Sequence, residues 1–124
     1  MMCKQKYILL VDDEVNARVI FSDALRGEGY RVKEVKDGYE AIKAIETESF
    51  DLALVDLRMP EMSGIEVLEN IKKKKPRVSV IIYTGYITPS TAVEAMRKGA
   101  FDYISKLSSL EELKLSIEKA LTKK

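Results

Sequence analysis

The chain has 124 residues, in which 21 lysines and arginines almost balance 20 aspartates and glutamates. This length fits one domain, 1–124, and the near-zero net charge gives no reason to expect nucleic acid or a membrane as a direct partner. The absence of histidine excludes histidine-based catalysis and histidine–zinc sites, and the single cysteine, Cys3, excludes an internal disulfide. The apolar runs are too short to span a membrane and no signal peptide is visible, so we expect a cytoplasmic protein.

Segments of strand length alternate along the chain with segments of helical period. The first strand is apolar through Ile8–Val11 and is followed at once by Asp12 and Asp13. The predicted strands cover 6–12, 30–35, 52–56, 78–84 and 101–105, and the predicted helices cover 17–25, 38–48, 63–76, 88–99 and 110–121. Each strand is thus followed by a helix, which is the repeating unit of a parallel sheet.

The helices are predicted from apolar stripes and from capping residues. Ser63 with Glu66 three residues later is a capping-box pattern, and Thr88 followed by Pro89 also marks a helix start. The first helix is expected to bury one stripe formed by Ala17, Ile20, Phe21, Ala24 and Leu25, and the fourth to bury Ala92, Ala95, Met96 and Gly99.

The polarity of the strands predicts their order in the sheet. The first, third and fourth strands are almost entirely apolar, as expected of strands covered on both faces. The second strand is interrupted by charges and the fifth is short, so we place both at the edges. The predicted fold is an α/β single domain with a doubly wound, flavodoxin-like parallel sheet of five strands in the order 2-1-3-4-5.

Five polar residues follow or end these strands: Asp12, Asp13, Asp56, Thr84 and Lys106. Because parallel strands end at the same edge of a sheet, we expect these side chains to meet near the switch point between the first and third strands. Three close carboxylates repel one another unless a cation neutralises them, and an all-oxygen site suits Mg²⁺. Lysine and a threonine hydroxyl then suit phosphoryl oxygens.

The phosphate could belong to a bound ligand or to Asp56 itself. The sequence has no glycine-rich nucleotide loop after the first strand and no Walker-type loop, so covalent chemistry at the carboxylate is the better interpretation.

These residues, taken together, resemble the receiver domain of bacterial two-component response regulators. The resemblance covers essentially the whole chain, and the motif positions occur in the family's order. They are Asp12-Asp13, Asp56, Met59-Pro60, Gly64, Thr84-Gly85, Tyr103 and Lys106.

The resemblance implies a role for each matching position. Asp56 would be the phosphoacceptor, taking a phosphoryl group from a sensor histidine kinase or a histidine phosphotransfer protein. Asp13, Asp56 and the backbone carbonyl of Arg58 would bind Mg²⁺ directly, and Asp12 would bind it through water. Lys106 and the Thr84 hydroxyl would bind phosphoryl oxygens.

The resemblance also implies a conformational switch and an output. Tyr103 would turn inward as Thr84 is drawn to the phosphate, and the surface of the fourth helix, fifth strand and fifth helix would change for a downstream protein or effector domain. The domain would not be an enzyme acting on other substrates, and it would be a monomer or a phosphorylation-dependent dimer.

The sequence departs from the family pattern after Lys106, where proline is usual and Leu107 stands instead. A cis peptide bond before a residue other than proline costs about 3 to 4 kcal/mol, so we expect a trans bond and a slightly displaced Lys106. Arg58 and Tyr86 are unusual choices at variable positions, and we expect the Tyr86 ring to obstruct the water that would hydrolyse the acyl phosphate.

Two other functions remain open from the sequence. One is a Mg²⁺-dependent phosphohydrolase that forms an aspartyl-phosphate, although the haloacid-dehalogenase type needs an acid where Arg58 stands. The other is a receiver-like interaction domain that no longer takes phosphate, which Leu107 makes conceivable.

Overall fold

A computed structural model describes residues 5–122, so Cys3 lies outside the described residues. Strands and helices alternate strictly, as predicted. The strands are β1 (Tyr7–Val11), β2 (Arg31–Val35), β3 (Leu52–Asp56), β4 (Ser79–Thr84) and β5 (Asp102–Ser105), and the helices are α1 (Val15–Gly27), α2 (Gly38–Thr47), α3 (Gly64–Lys74), α4 (Pro89–Arg97) and α5 (Leu110–Thr122).

The five strands form one parallel sheet in the order β2-β1-β3-β4-β5, which confirms the predicted topology. Every residue of β3 is buried, whereas β2 has exposed positions and β5 is only partly buried along its length. The exposure of the strands therefore follows their place in the sheet, with β3 in the middle and β2 and β5 at the edges.

The core lies on both faces of the sheet. One cluster joins Leu9, Val11 and their neighbours to α2, α3 and Ala95 of α4. The other joins Ile8 and Leu10 to α1 and α5. Because successive residues of a strand point to opposite faces, β1 contributes to both clusters and is completely covered after its first residue.

Two of the predicted apolar stripes are partly wrong. Ile20 of α1 is 57% exposed and Met96 of α4 is 49% exposed, and Gly99 is exposed and lies beyond the end of α4. The sheet-facing side of α1 instead runs through Ala17, Phe21 and Leu25, spaced four residues apart, so Ile20 lies beside that line and is not covered.

The start of α3 is fixed close to the end of β3. The predicted capping box is present, with the Ser63 side chain accepting from the Glu66 N–H and the Glu66 side chain accepting from the Ser63 N–H. Gly64 donates its N–H to the Leu57 carbonyl at 2.8 Å, and a Cβ at this position would lie 2.3 Å from the Asp56 carbonyl oxygen. Only glycine allows this approach, which places the helix against the strand end that carries Asp56.

Candidate functional site

The carboxyl ends of β1 and β3 bring three carboxylates together. Asp12 and Asp13 follow β1 directly, and Asp56 is the last residue of β3. Carboxylate oxygens of all three residues lie within 4.8 Å of one another. Asp12 and Asp56 are buried whereas Asp13 is exposed, so the cluster is open to solvent on the side of Asp13.

Lys106 is the residue directly after β5, and its side chain reaches the same pocket. Its Nζ lies 2.9 Å from Asp12 Oδ2, 3.5 Å from Asp56 Oδ2 and 3.4 Å from Glu14 Oε1. The Lys106 side chain is 14% exposed, so its ion pairs with the buried Asp12 and Asp56 are largely shielded from water, whereas Glu14 is exposed. Burial alone would lower the pKa of Lys106, but the carboxylates of Asp12, Asp56 and Glu14 outweigh it and raise that pKa.

Asp12 is held by donors on both carboxylate oxygens. Oδ1 accepts from the Glu14 N–H at 2.9 Å, and Oδ2 accepts from the hydroxyl of Tyr83 as well as from Lys106. Arg18 of α1 donates to the Asp12 backbone carbonyl at 2.6 Å. Asp12 is 0% exposed, so this complete set of partners is what a buried charge requires.

The Asp56 carboxyl lies in an environment that disfavours its charge. Burial is the largest cause, the neighbouring Asp12 carboxylate is the second, and together they raise the pKa of Asp56 to about 7. Lys106 and the Arg58 N–H, which donates to Asp56 Oδ1 at 3.4 Å, act in the opposite direction but do not cancel the rise. An added cation would therefore stabilise the ionised form of the Asp56 carboxyl.

Tyr83 was not among the residues predicted from the sequence, where it reads as one more apolar residue of β4. It is 1% exposed, and its ring packs edge-on against Phe21 at a centroid distance of 5.1 Å. Burial and the adjacent Asp12 raise its pKa, so the hydroxyl stays protonated and acts as a donor. The signal in the sequence is a hydroxyl-bearing aromatic that follows three aliphatic residues near the end of the strand.

Thr84 ends β4 beside the carboxylates and is 1% exposed. Its hydroxyl accepts from the Tyr86 N–H at 3.1 Å and lies 3.4 Å from the Tyr86 carbonyl oxygen. The Thr84 hydroxyl is thus engaged by its own loop in this structure, while its strand position places it at the same sheet edge as Asp56.

Arg58 and Tyr86 contact each other across the loops that follow β3 and β4. The Arg58 guanidinium carbon lies 4.6 Å from the centre of the Tyr86 ring, which is within the range of a cation–π contact. Tyr86 is 63% exposed, so the pair lies at the surface, on the loops that follow Asp56 and Thr84.

Tyr103 of β5 is half-buried and packs against the core on the α4 side of the sheet. Its hydroxyl shares a hydrogen bond with the hydroxyl of Thr91 in the first turn of α4. Thr91 in turn bonds Thr88, the N-cap of α4, with 2.8 Å between the two hydroxyl oxygens. Tyr103 therefore connects β5 to the first turn of α4, a link that the sequence did not indicate.

The peptide bond between Lys106 and Leu107 is trans, as predicted, and no peptide bond within residues 5–122 is cis. Lys106 nevertheless reaches Asp12 and Asp56, and its backbone N–H donates to the Thr84 carbonyl at 2.7 Å. The side chain of Leu107 is 85% exposed and takes no part in the core.

The donor set of the pocket fits a hard divalent cation. It consists of the carboxylate oxygens of three aspartates. Two of these aspartates, Asp12 and Asp56, are buried, and Lys106 balances their charges only in part. Sites of this kind suit Mg²⁺ better than zinc, which prefers histidine and cysteine ligands.

Comparison with known proteins finds a match to one domain family over almost the whole chain. A family model described as the response regulator receiver domain matches residues 8–118. The transcriptional regulatory protein ZraR of Klebsiella oxytoca is 42% identical over 118 residues, which are 95% of this chain and 27% of ZraR. The chain thus spans about a quarter of the length of this curated relative.

Solved structures agree with the sequence comparison. A CheY-like receiver domain protein from Methanospirillum hungatei has a TM-score of 0.91 and 35% identity, covering 95% of this chain and 94% of its own. The response regulator TrrA from Thermotoga maritima, solved with Mg²⁺ and BeF, has a TM-score of 0.87 and 35% identity, covering 94% of this chain and 100% of its own. Within the described part of the chain, none of the helices is both long and apolar enough to cross a membrane.

The raised pKa of Asp56 predicts a pH-dependent cost to stability. A carboxyl whose pKa is higher in the folded state favours folding most below its unfolded pKa and loses that advantage as the pH rises through about 7. In the absence of divalent cations, Asp56→Asn should therefore raise the free energy of unfolding at pH 8 by about 2 to 4 kcal/mol. Urea unfolding at several pH values measures this difference.

The gain should shrink toward zero below about pH 3, where Asp56 is protonated in both the folded and the unfolded state. The exposed Asp23 of α1 provides the control, since Asp23→Asn should leave the pH profile unchanged. An Asp56→Asn variant no more stable than the wild type at pH 8 would contradict the assignment of a disfavoured charge to this site.

Proposed function

Since the chain belongs to the response regulator receiver domain family, we propose that it is a signalling module controlled by phosphorylation of Asp56. The observation that carries this proposal is the position of Asp56, which lies in one pocket with two further carboxylates and the Lys106 ammonium. A carboxylate nucleophile, a cation-binding cluster and a fixed positive charge are the groups that phosphoryl transfer to an aspartate needs.

The proposed transfer moves a phosphoryl group from a histidine nitrogen of a partner to a carboxylate oxygen of Asp56. The O–P bond forms as the N–P bond breaks, and the histidine nitrogen keeps the electron pair and is then protonated. Lys106, 3.5 Å from Asp56 Oδ2, would bind a phosphoryl oxygen and offset the charge that develops there. The hydroxyl of Thr84 would have to leave its bond with Tyr86 to bind a second oxygen.

Asp13, Asp56 and the backbone carbonyl of Arg58 would hold Mg²⁺ directly, and Asp12 would do so through water. This division fits the burial of the residues, because both oxygens of Asp12 already accept hydrogen bonds whereas Asp13 is exposed. When bound, Mg²⁺ would supply positive charge to the phosphoryl oxygens during transfer.

The partners follow from the family and are part of the proposal. A sensor histidine kinase or a histidine phosphotransfer protein would donate the phosphoryl group, and the α4-β5-α5 surface would act on a downstream protein or an effector domain. We propose that residues 1–124 form one receiver domain, as a monomer or a phosphorylation-dependent dimer in the cytoplasm, and that it does not act as an enzyme on other substrates.

The competing hydrolase is less favoured. An aspartyl-phosphate hydrolase of the haloacid-dehalogenase type needs an acid two residues after the nucleophile, and this position holds Arg58, whose side chain contacts Tyr86. The unphosphorylated interaction domain is disfavoured by Lys106, which reaches the pocket despite the following leucine.

Incubation with acetyl phosphate and Mg²⁺ tests the phosphoacceptor. We expect the wild type to gain one phosphoryl group that is labile to base, and Asp56→Asn to gain none, with intact-mass spectrometry as the measurement. Asp23→Asn should be labelled like the wild type, and removal of the divalent cation with EDTA should abolish labelling. Repeated turnover of a generic phosphomonoester by the wild type would instead support the hydrolase.

Thr84, Tyr103 and Thr91 form the proposed route from the phosphate to α4. Tyr103 is already bonded to the first turn of α4, so a movement of its ring toward the core would act directly on that helix. β4 and β5 are adjacent, with Thr84 beside Ser105 and Ile82 beside Tyr103, so Thr84 and Tyr103 lie two residues apart in the register.

Beryllofluoride with Mg²⁺ tests this route without covalent chemistry. In NMR spectra of the wild type, we expect the resonances of Thr84, Thr91 and Tyr103 to shift when it is added. In Thr84→Ala the resonance of Asp13 should still shift, because the pocket is intact, whereas the shift of Tyr103 should be largely lost. An unchanged shift of Tyr103 in this variant would show that Thr84 is not the connection.

Tyr86 is proposed to lengthen the life of the phosphorylated state. Its contact with Arg58 holds both side chains over the loops that follow Asp56 and Thr84, where the ring would obstruct a water that approaches Asp56 from this side. We expect Tyr86→Ala to dephosphorylate several-fold faster, measured as loss of the label after the donor is removed. Tyr39 of α2 is comparably exposed, so Tyr39→Ala is the matched control and should decay like the wild type; equal rates in all three proteins would refute the role of Tyr86.

A further inference from the structure

Tyr83 contacts two groups of the proposed site without lining its solvent-facing side. It is the penultimate residue of β4 and lies opposite Asp56 in the register of β3 and β4. Its hydroxyl donates to Asp12 Oδ2, and the Lys106 Nζ lies 4.9 Å from the centre of its ring. Phenylalanine would fill the same space in the core, so we look for the role of the hydroxyl in its bond with Asp12.

Asp12 Oδ2 is shared between two donors, and one of them is also needed elsewhere. Lys106 lies closer to Asp12 Oδ2, at 2.9 Å, than to Asp56 Oδ2, at 3.5 Å. The ammonium therefore divides its interaction between a buried carboxylate that never reacts and the one that accepts phosphate. A second donor on Asp12 weakens the hold of Asp12 on Lys106, because the buried oxygen is then not dependent on one partner.

We propose that Tyr83 is a positioning residue for the phosphorylation of Asp56, and that its hydroxyl holds Asp12 so that Lys106 remains available to a phosphoryl oxygen. The Lys106 ammonium lies over the face of the Tyr83 ring, and the Tyr83 hydroxyl donates to the Asp12 carboxylate. The proposal rests on the function proposed above. Tyr83 of β4 would thereby position Lys106, which follows β5, through its bond with Asp12, which follows β1.

Tyr83→Phe separates the hydroxyl from the ring. Without the hydroxyl, Lys106 becomes the remaining side-chain donor to Asp12 Oδ2, and drawing it toward a phosphoryl group leaves a buried charged oxygen poorly satisfied. We expect the Mg²⁺-dependent affinity for beryllofluoride, followed by ¹⁹F NMR of the bound species, to fall about tenfold, which corresponds to about 1.4 kcal/mol. The affinity for Mg²⁺ alone, followed by amide shifts, should stay nearly unchanged, since all three carboxylates are retained.

Tyr7→Phe is the matched control at the opposite end of the sheet. Tyr7 also donates its hydroxyl to a carboxylate, that of Glu48 at 2.6 Å, but it begins β1 far from Asp56. This variant should bind both probes like the wild type. The comparison removes the general effect of losing one phenol–carboxylate hydrogen bond.

The outcomes distinguish a failure of the proposed function from a failure of the role proposed for Tyr83. If the wild type and Tyr7→Phe do not bind beryllofluoride, the proposed function itself fails, and the role of Tyr83 fails with it. If they bind it and Tyr83→Phe binds equally well, only the role of Tyr83 is overturned. A parallel loss of Mg²⁺ and beryllofluoride affinity in Tyr83→Phe, together with a lower unfolding temperature, would show that the hydroxyl merely supports the fold.

Discussion

The pocket depends on one ammonium group set among carboxylates. Asp12 and Asp56 are both buried, and two buried negative charges at this separation are unfavourable unless a positive charge lies between them. Lys106 supplies that charge and contacts both. The balance is incomplete, because the pKa of Asp56 is still raised, and this remaining excess of negative charge makes the pocket suited to a divalent cation.

The parallel sheet is what brings these groups together. Their positions in the sequence are far apart, but each lies at or just beyond the carboxyl end of a strand, and all such ends share one edge. Gly64 completes the arrangement by letting α3 begin against the Asp56 carbonyl. The chemistry therefore follows from strand order and strand length, and a shift of one residue in β3 would turn Asp56 toward the opposite face.

The sequence was sufficient for the fold and for the charged members of the site. Alternation of strands and helices and the polarity of β2 and β5 predicted the sheet order, and charged residues at apolar strand ends predicted which side chains meet. It was not sufficient for Tyr83 or Thr91, because a tyrosine in an apolar strand and a threonine in a helix have ordinary packing roles until their partners are known. Ile20 was wrongly placed in the core because helical spacing fixes a stripe but not its width.

The buried side chains of the site are held rigidly, whereas its exposed side chains are free to move. Asp12 and Tyr83 are almost completely inaccessible and are hydrogen-bonded to each other, so they cannot adjust much to a ligand. Asp13 and Tyr86 are exposed, and the Thr84 hydroxyl is hydrogen-bonded to the adjoining loop at Tyr86. A cation or phosphoryl group entering from the exposed side would thus meet a rigid set of charges, and the response would have to pass through the loop after β4 into α4. Tyr103 and Thr91 are bonded along this direction, so these contacts lie between the pocket and the helix that the proposed switch would move.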